Sequence, residues 1–512
     1  MAFKLDDLLR RGPEIWTYRT TDSLSTVLGA GYFNAALDKM EAGDQILVSV
    51  LSDLNATPGT TASLQRPLLV TGLSAGAVSV ALADGGIPTG YINVLDYGAD
   101  PTGVADSTAA LVAAEAAAYT AGGGVIHVPP GNIKFTSTVT IRSGVRIKGT
   151  CNYASRLTYA PTLAGTGLLF SQGASGVFNA GLADVRIICD ETSLTKTIIG
   201  VIDGRECVFE RFIITNSSGL AVAGGDTCGF MTNGREKIVL RDYEIAAPRP
   251  VVFGVNPNTS NGDLSVDHFT LTNSYLRGGS VAPTTKPDAS IHIETGAVVH
   301  NLVIDGAGAA TNSAEFLHFV HAAAQTVARP SQTISISGVR TETGRSASAY
   351  SVVIDTSGAS APGLKTLRLD SNIWDDSRNG LNLNYVEDVV ETCGLYLHGS
   401  GSSATALMTL KDCQSVTWNN VSTAATSKAI SLDSGMRKIW EMPKASYKQH
   451  PHVARWGLKN TGAAGVLYGT GSPNGAVEGT IGDQYIDLNG GAGATLYVKE
   501  SGNWTTSGWA AK

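Results

Sequence analysis

Short apolar runs recur along the middle of the chain at nearly regular intervals. The last apolar positions of nine such runs are Ile188, Ile214, Leu240, Leu271, Ile304, Ile336, Leu369, Leu397 and Trp418. They lie 21 to 33 residues apart, and the residue two positions later is always Asp, Asn, Gly or Ser. Those residue types tolerate tight turns. One strand and one turn per about 20 to 35 residues is typical of coils stacked in a solenoid.

A second series of apolar positions supports the same architecture. Its members, each followed by a polar residue, are Ile293, Val320, Ile354, Leu383, Leu410 and Leu432. Together the two series predict a parallel β-helix of about ten coils that ends near residue 440. With strands about 4.8 Å apart, the rod would be roughly 50 Å long.

The regions on either side of these repeats have a different pattern. Apolar residues between Asp22 and Met40 have helical spacing, and residues 45–51 form an apolar run typical of a buried strand. Residues 441–512 are rich in small residues, with strand-like runs at 484–488 and 495–499. The chain is therefore predicted to be mainly β, with a small N-terminal α/β module (1–84), a β-helix (85–440) and a C-terminal β-rich module (441–512).

The start of the predicted β-helix carries several spaced signals. A strand from Tyr91 ends in a glycine turn at Gly98, and Asp106 stands where it would cap an alanine-rich helix running to about residue 121. The runs Gly122-Gly-Gly-Val and Pro129-Pro-Gly follow. This order resembles the opening of the pectate-lyase-like right-handed parallel β-helices common in bacteriophage tailspikes. The resemblance covers about 60 residues and implies a fold and a capping helix near 106–121, but no chemistry.

Both ends of the chain add weaker resemblances. The run Ile15-Trp-Thr-Tyr, together with Gly31-Tyr-Phe-Asn, is similar to particle-anchoring modules of phages and gene transfer agents. The segment 490–504 is similar to the C-terminal tails of such structural proteins. These resemblances imply a virion or gene-transfer-agent spike, attached to the particle through residues 1–84. They also imply a homotrimer whose β-helix faces the host and binds its surface (capsular) polysaccharide.

Composition narrows the choice of function. The 59 glycines argue against a helical bundle. The content of 43% hydrophobic and only 16% charged residues argues against a disordered chain. A net charge of -7 is not the basic footprint of a nucleic-acid binder. The chain has no apolar stretch long enough for a membrane span and no signal-peptide core at its start. We therefore expect no nucleic-acid partner, no membrane insertion, and assembly in the host cytoplasm onto a particle surface.

Neither a cofactor nor a metal is predicted. The six cysteines lack the spacing of metal ligands, which favours buried small hydrophobes. His450 and His452 flank a proline, but two histidines without a carboxylate or cysteine partner make a weak metal site.

One pair of acids has the spacing for glycosidic cleavage. Glu342 and Asp375 each stand six residues after the last apolar position of adjacent runs. Equal offsets on neighbouring coils place backbones about 4.8 Å apart, and retaining glycosidases hold their two carboxylates about 5–5.5 Å apart. These two residues are the predicted catalytic pair. The residues around them that are predicted to stack on or hydrogen-bond a sugar are Trp374, Asp376, Arg378, Arg340 and Arg345.

A rival set consists of Glu294, His321 and Asp355 in the second series. Glu294 and Asp355 would lie two coils apart, near 10 Å, with His321 between them. Two classes of function remain open. An adhesin that binds the polysaccharide without cutting it is favoured, and the alternative is a depolymerase, either a glycoside hydrolase or a lyase. In a lyase, Arg277 or Arg378 would neutralise charge.

Overall fold

The structure is a computed structural model, and most of the chain is described in it. The described residues are 8–12, 15–22, 24–29, 31–42, 44–50, 64–74, 77–82, 91–233, 236–254, 265–278, 282–310, 313–321, 331–342, 350–357, 364–375, 379–397, 406–411, 413, 415–419, 422–423, 429–432, 438–440, 454–456, 466–477, 479, 481–491, 493–502 and 505–512.

Strands dominate the described residues. Strands of the first half are β1 Leu8–Gly12, β2 Ile15–Thr20, β3 Gln45–Val50, β4 Leu64–Ser74, β5 Ala77–Leu82, β6 Tyr91–Asn93, β7 Gly124–Val128, β8 Gly131–Phe135, β9 Val139–Ile141, β10 Val145–Gly149, β11 Ser155–Tyr159, β12 Gly165–Phe170, β13 Val177–Phe178, β14 Gly181–Ala183, β15 Arg186–Ile188, β16 Lys196–Ile202, β17 Gly204–Arg205, β18 Val208–Glu210, β19 Ile213–Thr215, β20 Cys228–Asn233, β21 Glu236–Ala246 and β22 Arg249–Phe253. Those of the second half are β23 Ser265–Arg277, β24 Ala289–Ile293, β25 Val298–Asp305, β26 Gly308–Ala310, β27 Glu315–Val320, β28 Ser331–Ser337, β29 Arg340–Glu342, β30 Tyr350–Asp355, β31 Leu364–Asp370, β32 Ile373–Asp375, β33 Asn379–Asn384, β34 Val386–Thr392, β35 Leu395–Leu397, β36 Ala406–Lys411, β37 Ser415–Asn419, β38 Ser422–Thr423, β39 Ala429–Leu432, β40 Lys438–Trp440, β41 Ala454–Trp456, β42 Val466–Gly469, β43 Gln484–Asp487, β44 Leu496–Lys499 and β45 Trp509–Ala511. The helices are α1 Leu24–Val27 and α2 Thr108–Thr120, with 3₁₀ turns at Asn34–Ala36 and Val94–Tyr97.

The strands β6–β40 form a parallel β-helix of about ten coils. One side is an 11-stranded sheet in the order β39-β36-β33-β30-β27-β24-β22-β20-β16-β12-β9, here called the narrow sheet. The remaining strands form a 24-stranded sheet, the wide sheet, which bends around the rest of each coil. Parallel crossovers are right-handed almost without exception. The sequence-based prediction of the fold class is confirmed.

The core fills the inside of the coils with stacked apolar side chains. Phe209 makes edge-to-face contacts with Phe170 and Phe230, with ring centroids 4.9 and 5.0 Å apart. Phe253 continues the contact to Phe269 at 4.8 Å. Such pairs add to the stabilisation from burial. Four of the six cysteines (Cys189, Cys207, Cys228 and Cys413) are buried as expected, whereas Cys151 and Cys393 are exposed.

A ladder of left-handed residues bends the wide sheet at the same point in each coil. Its members, at equivalent positions on eight coils, are Asp184, Arg211, Asp242, Asn273, Gly306, Gly338, Ser371 and Cys393, with φ between 48° and 64°. Asp, Asn and Gly adopt this conformation at little cost. Five of the predicted turn residues, at 242, 273, 306, 338 and 371, belong to this ladder. We call it the turn ladder.

The predicted repeat register is right over five coils and wrong at its ends. Leu240, Leu271, Ile304, Ile336 and Leu369 lie in one column. The next two residues of that column are Glu391 and Trp418, so Leu397 belongs to a neighbouring column beside Asp375. Ile214 aligns with Ile245, which places it and Ile188 beyond the turn ladder. The search for apolar residues passed over the buried Glu391 because it is charged.

Helix α2 covers the first end of the β-helix and packs on β6, β7, β9 and β10. It begins one residue later than an N-cap at Asp106 predicts. Asp106 accepts a hydrogen bond from the Thr108 amide at 3.1 Å, and Ser107 is the N-cap residue. Inside the helix, the buried Glu115 carboxylate accepts hydrogen bonds from the Arg142 backbone amide and guanidinium. Since an open sheet end templates further pairing, this helix protects the core from edge-to-edge association.

The strands outside the β-helix form two further sheets. Strands β1–β5 make a five-stranded sheet, and β41–β45 make another. The predicted helix between residues 22 and 40 is wrong in extent, because only Leu24–Val27 is α-helical and Gly31 has a φ of 83°. Residues 83–90 and 441–453 lie outside the described residues, so the predicted boundaries at 84/85 and 440/441 stay predictions.

Candidate functional site

The two predicted catalytic carboxylates lie at matching positions on adjacent coils. Arg340 of β29 pairs with Ile373 of β32, and Thr341 pairs with Trp374. Glu342 and Asp375 are the next residue of each strand, so their backbones are about one strand spacing, or 4.8 Å, apart. The structure describes the backbone but not the side chains of this pair. Their role in catalysis therefore stays a prediction.

The residues predicted to bind sugar around this pair are placed in different ways. Trp374 is 2% exposed and packs against Phe316, with ring centroids 6.1 Å apart. Its ring faces the core and is not accessible to a sugar, which corrects the expected stacking role. Arg340 is exposed on the outer surface, as a sugar-binding residue requires. The others, Arg345, Asp376 and Arg378, lie outside the described residues.

An exposed aromatic ring lies on the same outer face, two coils away from Arg340. Tyr275 of β23 is 40% exposed, and it pairs with Gly308, which in turn pairs with Arg340. A Cβ at Gly308 would lie 3.3 Å from the Tyr275 ring, so the ring rests on the glycine backbone. This glycine lets one face of the ring lie against the strand while the ring stays accessible from outside. Sequence analysis missed Tyr275, although its position two residues before Arg277 was a signal for an outward side chain.

Arg277 is engaged beside that ring. Its guanidinium forms an ion pair with Glu244 and donates a hydrogen bond to the Gly219 carbonyl at 2.8 Å. Leu220, 60% exposed, follows that carbonyl in a tight turn. A guanidinium paired with a carboxylate in this way is already neutralised, so it would not act as the free charge-neutralising group of a lyase.

The rival set on the narrow sheet is out of register by one residue. Ile293 aligns with Phe319, and Val320 aligns with Asp355. Glu294, which follows Ile293, therefore shares a column with Val320 and Asp355, and His321 comes one residue later. His321 is buried, and its Nδ1 accepts a hydrogen bond from the Gly296 amide at 3.3 Å. Burial also lowers the pKa of His321, so the proposed ladder with His321 between two acids is not formed.

A cluster of charged and histidine side chains lies on the outer face of the narrow sheet instead. Arg249, at the start of β22, is buried. Its Nη2 donates to His292 Nδ1 at 2.8 Å and to Glu294 Oε1 at 3.1 Å. Lys286 Nζ lies 3.6 Å from the same Glu294 oxygen. Of these residues only Glu294 was singled out from the sequence, because Lys286 lies between strands and Arg249 begins a strand that the repeat pattern did not mark.

A histidine–carboxylate pair continues this cluster onto the next coil. His292 and His318 are aligned neighbours, with ring centroids 5.5 Å apart. His318 Nδ1 lies 2.6 Å from Glu315 Oε2. The whole group, which we call the polar array, consists of Arg249, Lys286, His292, Glu294, Glu315 and His318. It extends across β22, β24 and β27, three successive strands of the narrow sheet.

The hydrogen bonds fix the protonation of the buried histidine. Arg249 has only donors, so the Nδ1 of His292 must accept and the ring proton is on Nε2. Burial, with the adjacent Arg249 charge, lowers the pKa of His292 to about 3. His292 is therefore neutral at physiological pH and cannot act there as an acid. His318 has a different partner, because its Nδ1 lies 2.6 Å from a carboxylate oxygen of Glu315.

A short segment that crosses beside the polar array is fixed by one carboxylate. Asp226 Oδ1 accepts hydrogen bonds from the backbone amides of Thr284 and Thr285 at 2.8 and 3.0 Å. A weaker bond from the Lys286 amide is 3.3 Å long. These bonds fix the backbone at Lys286, whose ammonium group lies beside Glu294.

The array has the groups needed to bind a glycan and the outline of a general-base site. Cationic and anionic side chains can hydrogen-bond hydroxyl and carboxylate groups. A histidine oriented by a carboxylate is a recurring general base. The described residues include no group of three or more His, Cys, Asp or Glu suited to a metal ion. Among the described helices, none has the length and apolar character needed to cross a membrane.

Comparisons with known proteins agree with the fold of the first coils. Residues 91–236 match the family described as rhamnogalacturonase A/epimerase, pectate lyase-like. Mannuronan C5-epimerase AlgE1 of Azotobacter vinelandii is 26% identical over 216 residues, which cover 37% of this chain. The match spans only 15% of that relative's length.

Solved structures similar to this chain are more remote in sequence. A tailspike protein mutant of the E. coli bacteriophage HK620, in complex with a pentasaccharide, has a TM-score of 0.49 at 13% identity, over 80% of this chain and 73% of that chain. PfbA, a surface adhesin of Streptococcus pneumoniae, has a TM-score of 0.42 at 11% identity, over 72% of this chain and 97% of that chain.

Proposed function

We propose that this chain is a spike or fibre protein of a phage or gene transfer agent that binds host-surface, capsular polysaccharide for attachment. The observation that carries the proposal is the polar array, in which Lys286, Glu294, Glu315 and His318 reach the surface. The buried Arg249 and His292 lie beneath them, and the array crosses three coils of the β-helix. A long polymer can contact all three coils at once, because adjacent strands are only about 4.8 Å apart. Similarity to a mannuronan C5-epimerase, an enzyme of polysaccharides, supports a polysaccharide as the ligand.

The remaining parts of the proposal concern assembly. Residues 1–84 anchor the chain to a structural protein of the particle, and three copies associate into a homotrimer. Closed symmetry is the common state of soluble homo-oligomers. The protein then stands on the surface of the virion or virus-like particle after assembly in the host cytoplasm.

The test is binding of the purified full chain to a panel of bacterial capsular polysaccharides. Retention is followed by biolayer interferometry with immobilised polymer. The variant is a combined Lys286→Ala, Glu315→Gln change, chosen because both side chains reach the surface, and Glu500→Gln in the last sheet is the control. We expect at least about a tenfold loss of affinity in the array variant and none in the control. If the array variant binds as tightly as the original chain, the array is not the binding site. If the original chain binds none of the polymers, the proposed function is wrong.

A depolymerase is the second candidate, and the oriented His318–Glu315 pair and the aligned Glu342 and Asp375 are the observations that favour it. Its readout is polymer length after incubation, followed by size-exclusion chromatography. Shortening that disappears in Glu342→Gln or Asp375→Asn assigns the cleavage to that pair. Shortening that persists in both but disappears in His318→Gln assigns it to the array. Binding without shortening leaves the adhesin.

A further inference from the structure

A groove lies on the wide sheet, on the side of the turn ladder that precedes the bend. Its volume is about 210 Å³, and its lining side chains are Val125, Arg146, Lys148, Ala183, Val208 and Glu210. Arg146 aligns with Gly181, which aligns with Val208, and Lys148 aligns with Ala183, which aligns with Glu210. Small residues on β14 thus separate larger ones on β10 and β18, which are two strand spacings, or about 9.6 Å, apart. A Cβ at Gly181 would collide with the Val208 carbonyl, so the floor cannot be filled there.

The cations around this groove fall into two groups. Arg211 is bound by Asp184 at 2.7 Å and by Glu210 at 2.6 Å, and Arg241 is also bound to Glu210. These charges are neutralised by the protein itself. Arg146 and Lys148 are different.

The two groove cations have no carboxylate partner in the continuous described stretch 91–233. Arg146 has only a 3.5 Å contact from its Nε to the Asn179 carbonyl, which is at the limit of a hydrogen bond. The Lys148 ammonium has no acceptor within that stretch, and the one carboxylate in the groove, Glu210, is occupied by two arginines. Two unneutralised cations, two residues apart on one strand face, therefore point into a groove with apolar walls.

We infer that this groove is a second binding site, for an anionic group of a polysaccharide: a carboxylate, sulfate ester or phosphate ester. The polymeric nature of the ligand rests on the proposed function, whereas the anionic group is inferred from the groove alone. Arg146 and Lys148 neutralise and hydrogen-bond the anion, and Val125 and Val208 contact the apolar C–H face of the sugar that carries it.

A path for the rest of the polymer continues from the groove along the rod. Val208 is followed on successive coils by Val239, Thr270 and Val303 at equivalent positions. Val303 is among the exposed apolar residues. This stripe has no charge to repel a sugar chain and runs for about three strand spacings, or 14 Å. The site lies across the turn ladder from Tyr275 and on a different sheet from the polar array.

The test uses defined polymers and the full chain, so that it is independent of the capsular panel. Polyglucuronate, dextran sulfate and dextran phosphate present the three kinds of anion, and neutral dextran is the blank. The variant is Arg146→Gln combined with Lys148→Gln, at two exposed positions whose loss leaves the fold intact. Arg368→Gln, an exposed arginine on the same face seven coils away along the rod, is the matched control.

We expect the original chain to bind at least one polyanion. The affinity for that polyanion should fall about tenfold or more in the double variant and stay unchanged in the control. The affinity of the original chain should also fall as salt rises, with a smaller salt dependence in the double variant. Unchanged binding in the double variant, or no binding of any polyanion by the original chain, overturns the inference. Binding of a neutral capsular polymer in that case would leave the proposed function intact, which separates the two failures.

Discussion

Removal of the Glu115 carboxylate should open the cap of the β-helix. The change is Glu115→Ala in α2, where this carboxylate accepts hydrogen bonds from Arg142 N and Nε, both at 3.0 Å, and from Nη2 at 2.6 Å. The Glu115 side chain is 4% exposed and that of Arg142 is 33% exposed. Breaking a buried ion pair from one side costs about 3–5 kcal/mol.

The lower end of that range applies here for two reasons. Arg142 is partly exposed, so its guanidinium regains water, and it keeps the Tyr119 ring 3.9 Å below it. Alanine also returns about 0.4 kcal/mol through its higher helix propensity. The net cost is about 2.5 kcal/mol, which corresponds to roughly 70-fold in the opening equilibrium of the cap.

The assay is native-state hydrogen exchange of the α2 amides, because long repeat arrays need not unfold in one step and a global free energy is then poorly defined. Protection of residues 108–120 should fall by about 70-fold, with a smaller fall in β7 and β10 beneath the helix. Val112→Ala is the control, since Val112 is 45% exposed on the same helix and its loss should change protection by less than about threefold. A fall of less than threefold in Glu115→Ala would refute the reasoning that this ion pair holds the cap.

Three further outcomes follow from the structure. Burial opposes ionisation of Glu191, but hydrogen bonds from Lys196 and Ser193 outweigh it and lower its pKa from 4.5 to about 2; the free energy of local opening of β16, measured by native-state hydrogen exchange, should therefore be highest above pH 4.5 and fall toward pH 2, with a weaker fall in Glu191→Gln. Tyr275→Ala should weaken binding of the capsular ligand about fivefold or more in titration calorimetry without changing thermal stability, and unchanged affinity would exclude the ring from the site. Light scattering should give about three times the 53.1 kDa monomer mass, and the monomer mass at micromolar concentration would exclude the trimer.

The fold was accessible from sequence because a β-helix repeats its chemistry once per coil. Leu240, Leu271 and Ile304 are buried at the same point of successive coils, and the left-handed turn two residues later admits few residue types. The pattern failed where a single residue departed from it. Glu391 occupies the inward column between Leu369 and Trp418, and at Val320 an apolar outward residue follows the inward Phe319. The pattern of apolar residues does not distinguish an inward charged residue from an outward apolar one, because it carries no information on the direction of each side chain.

The candidate site was less accessible, because it depends on side-chain direction and on segments between the strands. Trp374 and Asp375 are adjacent in sequence, but alternation along β32 turns the tryptophan into the core. Arg249 reaches His292, 43 residues away on the next strand of the narrow sheet, and Glu294, 45 residues away just after that strand. No spacing rule connects them, because the intervening chain passes once around the wide sheet before it returns to the narrow one.

These failures point to how such a fold acquires binding sites. A coil that repeated perfectly would present the same side chain on every strand of a column, and a polymer would find no preferred position on it. Specific positions arise where one coil departs from its neighbours, as at Gly181 between Arg146 and Val208 and at Gly308 between Tyr275 and Arg340. In both cases the glycine is tolerated because its position faces away from the core, and it creates a depression that the adjacent coils lack. A ligand can therefore bind at a defined position where a surface residue breaks the repeat. The core residues that follow the repeat hold those surface residues at fixed heights along the rod.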